Sequence, residues 1–428
     1  MILRLPCTSV VSMRRLTAVF PEIRLASVTD IPGIMDIENQ SFPCPWDTET
    51  INACIESPSF RTWISRLDGR VAGYITAELD APGLHIVNLA AGENYRRQGL
   101  ATCLLRTAES WGRRLGAEVS FLEVRESALP ARALYKKSDY SGTQLIQGYY
   151  PDGEDGLQFR KTIRPDRVAS VIAERILRRC AIIPPVGVIL GSGLSWLAEE
   201  FGSLLEISFE ELLGESSPEV PGHPGKISFS RCGRFVFMLG RLHHYQGYLG
   251  DEISMLPGVL GDLGVTAWIL TSSSGAVDTE LLPGDAVLFR DHVNFAGCVP
   301  ECIIGRVRRS VYSNRLRKAA EKAARSTGTE LREGIFACVS GPAYETSAEI
   351  KFLKNKDFST VSMSTVPEAL LLSARGFDVA AVSLVTNAAS PEAVVTHEEV
   401  LSSQEKVRKK QEAFLAYFIR EAVSVELQ

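Results

Sequence analysis

Short apolar, β-branched runs recur through the second half of this 428-residue chain: PVGVIL, VTAWILTSSS, GDAVLF, GIFACV and VAAVSLVTN. Several are apolar at nearly every position, whereas a strand with one wet face would alternate. Such strands have to be covered on both sides, so helices must lie against each face of the sheet they form. Helical stretches such as RLRKAAEKAARS and EEVLSSQEKVRKKQEAFLAYFIREAV stand between or after them. The second half therefore reads as an α/β domain with a central mixed sheet flanked by helices.

The chain is too long for one ordinary core of ~100–200 residues, so two domains are expected. The pattern changes after LQFRKTIRPDR. A strand over 157–162 gives way to Val168, Val171, Ile172, Ile176 and Leu177, spaced as in an amphipathic helix, with Pro165 fitting its first turn. A cut near residue 163 leaves a first domain over 21–162 and a second over 163–428. Residues 1–20 hold a mildly apolar patch broken by Pro6, with Arg14 and Arg15 behind rather than before it. A secretory signal does not fit, and a disordered tail or an early start, with Met13 as the alternative start, is expected.

Hydrophobic residues make up 45% of the chain and charged residues 23%, as in globular proteins, and the net charge is −5. That balance argues against nucleic acid or an acidic membrane as main partner and favours small ligands. The nine cysteines form no CxxC pair and no Cys/His cluster at zinc spacing; Cys298 and Cys302 alone make no metal site. Reduced thiols in a cytoplasmic protein without a metal are expected. No apolar run approaches the ~18 residues of a membrane helix.

MLGRLHHYQGY places two of the chain's six histidines side by side. If 235–245 is a strand, Arg241, His243 and Tyr245 share one face, and Leu242 and His244 the other. That comb suits either an anion site or the wet side of a half-exposed strand. Before it lie the turn in VILGSGL with Ser192 and the loop VPGHPGKI with His223, and after it the carboxylate Glu345 in GPAYETSAE. Ser364 in SMSTVPEA and Asn387 in SLVTNAAS stand at strand ends, where open α/β sheets bind ligands. Taken singly, Ser192 suits a turn, Glu345 a cap, Asn387 a turn, and His397 the start of the last helix.

In this order LGSGL, GHPGKI, GRLHHYQGY, LTSSSGAVD, PGDAVLFRDHVNFAG, GPAYETSAEI, MSTVPEA, VTNAAS and THEEV resemble the trimeric purine nucleoside phosphorylases over nearly all of 164–428. The resemblance implies a homotrimer. It assigns Ser192, Arg241, His243, Ser364 and the Ser273 backbone to inorganic phosphate, with His223 on a closing loop. Tyr245, Met363 and His397 would meet the ribose, and Tyr344, Glu345 and Asn387 the purine. Phosphate would stabilise the developing sugar cation and then attack it, while Glu345 and Asn387 hold the departing base. An amide at 387 favours 6-oxopurines such as inosine and guanosine over 6-aminopurines, and so disfavours a methylthioadenosine-type phosphorylase. His244 reads as structural. The chain departs from the family at Ser272-Ser273-Ser274-Gly275-Ala276, where relatives have Asn-Ala-Ala-Gly-Gly. It departs again at Gln246, often Glu in relatives, and in CVPECIIGRVRRSVY, where Ile304 is the candidate for an aromatic offered by a neighbouring subunit.

The first half carries LHIVNLAAGENYRRQGLATCLLRTAESWGRRLGA. A strand over 84–90 runs through a turn into a helix whose Leu100, Cys103, Leu104, Thr107 and Ala108 form one face. Exposed N–H groups at that helix start, beside Arg96 and Arg97, form a natural site for a pyrophosphate. Arg96, Gly99 and Ala101 resemble the acetyl-CoA loop of GCN5-related N-acetyltransferases. SFPCPWDTETI and FLEVRESALPARALYKKSDY extend the resemblance over about 21–162, to the enzymes that acetylate the N-terminal alanine of a ribosomal protein. It implies a mixed, mostly antiparallel sheet with helices. Acetyl-CoA would lie on Leu89, Ala90, Arg96, Arg97, Gln98, Gly99, Leu100 and Ala101, and a protein N-terminus would accept the acetyl group. Glu123 would act through water as general base, and Tyr135 would protonate the CoA thiolate. Glu123 could equally pair with Arg125 or Arg97, and Tyr135 could simply pack. Ala128 and Ser138-Asp139-Tyr140 depart from the pattern, which keeps open a half that binds acetyl-CoA without chemistry.

Overall fold

The computed structural model describes residues 22–67, 69–80, 82–214, 224–300, 310–389 and 404–426; residues 1–20, His223, Ile304 and His397 lie outside the described residues. Among the described residues the chain builds two separate sheets, of seven and nine strands.

The first sheet is formed by β1 (Glu22–Leu25), β2 (Phe60–Leu67), β3 (Arg70–Asp80), β4 (Gly83–Ala91), β5 (Val119–Arg125), β6 (Ser141–Ile146) and β7 (Gly156–Thr162), in the order β1-β2-β3-β4-β5-β7-β6. All neighbours are antiparallel except β4 and β5. Helices α1 (Ile31–Ser41) and α2 (Thr48–Glu56) precede β2, and α3 (Leu100–Arg114) and α4 (Leu129–Lys137) flank β5. Alternation explains the layers: Ser120, Leu122 and Val124 of β5 point into a core with Leu104, Leu105, Ala108 and Trp111 of α3. On the other face α1 and α2 set Ile34, Ile37 and Ile51 against Ile64, Tyr74 and Ala90.

The second half begins with α5 (Arg167–Arg179), β8 (Val186–Leu190), α6 (Trp196–Glu200), β9 (Ser203–Ser208), α7 (Phe209–Leu213), β10 (Lys226–Ser230) and β11 (Phe235–Leu239). It continues through α8 (Gly250–Ile253), α9 (Met255–Leu263), β12 (Ala267–Ala276), β13 (Ala286–Asn294), α10 (Asn314–Thr327) and β14 (Leu331–Cys338). It closes with α11 (Ser347–Lys354), β15 (Thr360–Ser362), α12 (Val366–Ala374), β16 (Asp378–Ala388) and α13 (Gln404–Glu426). The strand order is β15-β14-β13-β16-β12-β8-β11-β10-β9, and β11, β8, β12 and β16 run parallel to one another. The all-apolar runs became the covered strands: every residue of β8 and β11 is buried. One face packs on α5, α9 and α12 through Ile172, Val259 and Leu371, the other on α10 and α13 through Ala320, Phe414 and Phe418.

Two local expectations need correction. The strand predicted over 235–245 stops at Leu239, where Gly240 turns the chain at φ +117°, and His244–Gln246 forms a 3-10 turn. Helix α5 starts at Arg167 with the Asp166 carboxylate accepting from Ala169 N at 3.1 Å, so Pro165 precedes the cap rather than filling the first turn. Its buried face is Ala169, Ile172, Ala173 and Ile176, while Val168, Val171 and Leu177 point outward.

The halves are locked together at Asp262, near the end of α9. Trp111 Nε1 donates to its carbonyl at 3.0 Å, Arg114 Nη2 to its Oδ1 at 2.9 Å, and Arg375 Nη1 to its Oδ2 at 2.9 Å. The carboxylate is 2% exposed and the two guanidiniums 15% and 16%. Asp262→Ala leaves two cations facing each other in a nearly dry junction, and is expected to lower stability by roughly 3 kcal/mol. Urea unfolding measures this, and an unchanged midpoint would mean the junction is held by its apolar contacts alone.

Candidate functional site

The carboxyl ends of β11, β8, β12 and β16 all open on one side of the sheet, and a cleft with about 760 Å³ of empty space lies there. It is lined by Ser192 after β8, Ser273 of β12, and Arg241, His243 and Tyr245 after β11. Met363 and Ser364 after β15, Asn387 of β16, and Tyr344 and Glu345 before α11 complete it. Ten separated positions singled out from the sequence are thus brought together. The comb converges even though no strand carries it: the turn after Gly240 does the aiming, and the His243 and Tyr245 rings stack at 4.7 Å.

One end of the cleft is cationic. Arg241 donates from Nη1 to Ser364 Oγ at 2.9 Å and Thr365 Oγ1 at 3.2 Å, and its Nε lies 3.1 Å from Glu368 Oε1, both side chains being 2% exposed or less. Burial pushes the Glu368 carboxyl up, and the Arg241 charge beside it pulls only partly back. Among the described residues, the buried Arg241 Nη2 and Ser192 Oγ have no hydrogen-bond partner, although both residues line the cleft. Orphaned donors are rare because each costs about 1–3 kcal/mol. An oxyanion between them would satisfy both.

Burial and the neighbouring Arg241 charge push the His243 imidazole down to about 4, against a bond to Gln246 that raises it. His243 N and Nδ1 both lie on Gln246 Oε1, at 2.9 and 3.2 Å. The ring is neutral at neutral pH. Because the unfolded chain takes up this proton near pH 6.5 and the folded one only near pH 4, the folded state loses stability as pH falls between those values. His243→Asn is expected to remove roughly 3 kcal/mol of that acid loss, read from unfolding midpoints at pH 7 and pH 4; parallel curves would mean the ring is not held neutral.

At the other end, the ladder between β12 and β16 skips a residue: Ser274 faces Val385 but Gly275 faces Asn387. Thr386 is the extra residue, and its hydroxyl donates to Asn387 Oδ1 at 2.9 Å. Among the described residues the amide's Nδ2 keeps only a long contact to Ala388 O, at 3.4 Å, and Asn387 lines the cleft. Burial raises the Glu345 carboxyl, which strengthens it as an acceptor. The serines that replace the family's Asn-Ala-Ala take local bonds. Ser272 and Ser274 hydroxyls lie 3.1 Å apart, Ser273 Oγ donates to Ser192 O at 2.9 Å, and Ser362 Oγ donates to Ser273 O at 2.9 Å. They tie the β8 turn, β12 and β15 into one frame. Glu368, Thr386 and Ser362 were missed from sequence; only the nearness of Glu368 to Ser364 in SMSTVPEA offered a signal.

In the first half, β4 pairs with β5 only through Gly83–His85 and Val119–Phe121, and beyond that the two strands part. Leu89 and Ala90 stand on the freed edge of β4. The turn that follows exposes Arg96, Arg97, Gln98 and Gly99, with Arg97 at φ +62° and Gly99 at φ +84°, and leads into Leu100 and Ala101 at the start of α3. Gly99 caps α3 without a side-chain acceptor, so its first N–H groups stay open to an anion. Tyr135 is 7% exposed and packs edge-on against Tyr140 at 5.9 Å. Glu123 pairs with neither Arg125 nor Arg97. His85 Nε2 lies 2.8 Å from its Oε2, Gln158 Nε2 donates to its Oε1 at 3.0 Å, and the Tyr149 hydroxyl reaches Oε2 at 3.4 Å. Burial raises this carboxyl, but these bonds outweigh it and hold the group below the usual carboxylate range.

Residues 185–420 match the model of the Phosphorylase superfamily, and residues 31–140 that of the Acetyltransferase (GNAT) family. Purine nucleoside phosphorylase 1 of Geobacillus stearothermophilus is 34% identical over 250 residues, which is 55% of this chain and 91% of that protein. The purine nucleoside phosphorylase of Bos taurus is 31% identical over 252 residues, 54% of this chain and 87% of that one. Among solved structures, Schistosoma mansoni purine nucleoside phosphorylase in complex with inosine aligns with a TM-score of 0.53 and 30% identity, covering 59% of this chain and 95% of that one. The same enzyme in complex with adenosine aligns at 0.52 and 31% identity, covering 59% and 96%.

Proposed function

From the premise that the chain belongs to the phosphorylase superfamily, we propose that residues 163–428 cleave 6-oxopurine (deoxy)ribonucleosides such as inosine and guanosine with inorganic phosphate. The products are the free base and (deoxy)ribose 1-phosphate. The observation that carries this is the pair of orphaned buried donors, Arg241 Nη2 and Ser192 Oγ, in the cleft at the strand ends. Phosphate fits them, with Ser364, the neutral His243 ring and the Ser273 backbone around it; His223, outside the described residues, is the further phosphate candidate.

The reading divides the work along the cleft. Phosphate gathered at the Arg241 end would lie below the ribose, with Tyr245 and Met363 as its contacts; His397, outside the described residues, is the further ribose candidate. As the C–N bond breaks, positive charge grows on the sugar next to phosphate, which then forms the new C–O bond. Negative charge grows on the base. Glu345 accepts from N1–H, Asn387 Nδ2 donates to O6, and its Oδ1 keeps a second lone pair for N7–H. Tyr344 stacks beside the purine. Three copies assembling through this half, in the reducing cytoplasm that suits the free described cysteines, complete the reading.

Residues 31–140 match the GNAT family, and we infer that a half spanning 21–162 transfers acetyl from acetyl-CoA to an amine, a protein N-terminus being the acceptor its motifs favour. The open α3 start with Arg96 and Arg97 supports pyrophosphate binding.

Purified full-length protein given inosine with and without phosphate tests the main reading, with adenosine and methylthioadenosine run alongside. Hypoxanthine release only with phosphate is expected, and adenosine cleavage at a similar rate would overturn the 6-oxopurine preference.

A further inference from the structure

Three donors converge on Glu123, and a carboxylate so occupied is a poor proton acceptor. The group that binds it is the better one. An ionised carboxylate only accepts hydrogen bonds, so His85 Nε2 must be the donor, which fixes the neutral ring in one tautomer and leaves the lone pair on Nδ1. Among the described residues nothing bonds Nδ1. The ring is 23% exposed, and it stacks flat on Phe121 at 4.7 Å and 5°, so its plane is set from two sides.

Its position matters as much. His85 is the last residue of β4 that pairs with β5, so the imidazole stands at the base of the split between the strands. Its side of the sheet is the one that carries Phe121 and Glu123, opposite the core face of Leu122 and Val124. The other charged or titratable groups facing it are Glu78 across β3, Tyr149 in the turn before β7, and Arg160, which lies over Phe121 at 5.9 Å.

We propose that His85 is the proton acceptor that turns the acceptor ammonium into a nucleophile, and that Glu123 acts through it as a positioning residue. This rests on the acetyltransferase reading of the first half. The ammonium gives one proton to His85 Nδ1, and the freed nitrogen lone pair attacks the thioester carbonyl. The N–C bond forms and the C–S bond breaks with its electrons going to sulfur. The nitrogen's second proton ends on the CoA thiolate, and His85 passes the first to water. A neutral ring with a bare Nδ1 has a lone pair ready for this proton, whereas the Glu123 carboxylate is already occupied by three donors.

The test uses the full chain, acetyl-CoA and a hexapeptide with a free N-terminal alanine, with rates followed from pH 5.5 to 9. His85→Gln is expected to lower kcat about 10²-fold, leave KM for acetyl-CoA unchanged, and abolish the acid limb of the wild-type profile. Glu123→Gln should lose about tenfold and keep an acid limb, since the base is still present. The proposal is overturned if His85→Gln keeps both rate and limb while Glu123→Gln is dead. Nitrogen-15 spectra of the histidine ring decide independently of any acceptor. Protonated Nε2 and bare Nδ1 are expected, with the tautomers mixing in Glu123→Gln, whereas protonated Nδ1 in the wild type refutes the idea. Acetyl-CoA binding by calorimetry separates the two failures. A protein that does not bind it sinks the acetyltransferase reading, and one that binds it with the wrong tautomer sinks only the base.

Discussion

Arg241→Met is expected to lower kcat/KM for phosphate by about 10³-fold while changing KM for inosine only a few-fold. One guanidinium does three things here: it holds Ser364 and Thr365 at Nη1, faces Glu368 at Nε, and presents an unpartnered Nη2 to the cleft. Removing it takes away a charged donor worth ~1.5–3 kcal/mol to a bound oxyanion, together with the frame that aims Ser364. Methionine fills most of the volume, so the loss is of charge rather than packing. It also strands Glu368, whose carboxyl burial already pushes up, and some stability goes with it. The double variant Arg241→Met with Glu368→Gln separates these effects, because a neutral amide needs no counter-charge: stability should partly return and phosphorolysis should not. A phosphate dependence that survives Arg241→Met would remove the residue from the anion site.

Much of the second half was legible because the run that became β8 carries no polar side chain and the one that became β12 opens on Ala-Trp-Ile-Leu, and only a doubly covered sheet accommodates that. The site was legible for a different reason. Ser192, Ser364 and Asn387 stand at the ends of apolar runs, where a parallel sheet opens, while Arg241 and Glu345 entered through the motifs that resemble the phosphorylases. What stayed hidden depends on distances that spacing does not encode. Glu368 reads as an acidic residue in a first helical turn, and its partner lies far away in the chain. The role of Thr386 exists only because the β12–β16 ladder skips it. Gly240 hid the true path of the comb, since a strand and a turn both bring Arg241, His243 and Tyr245 to one side. His85 sits in an ordinary alternating strand, and only its approach to Glu123 on the neighbouring strand marks it. On α5 the apolar period was real, but Val168, Val171 and Leu177 lie on its outer side, so period alone identified the helix and not its buried face.

Asn387→Asp should shift the ratio of kcat/KM for adenosine over inosine by about 10³-fold, most of it through loss of inosine cleavage. Thr386 still donates to one oxygen at position 387, so the new carboxylate turns its other oxygen to where Nδ2 stood. A 6-oxopurine then meets an oxygen instead of a donor at O6, and loses a hydrogen bond to a like-signed contact. A 6-aminopurine gains an acceptor for its exocyclic N–H. Glu345 limits that gain, because adenine N1 carries no hydrogen and so offers nothing to a carboxylate. Glu345→Gln added to Asn387→Asp supplies a donor for N1 and should raise adenosine cleavage further, while leaving inosine with no correctly paired edge. If the single variant keeps the wild-type ratio, Asn387 does not touch the purine 6-position, and the base must be chosen by Glu345 and the walls of the cleft.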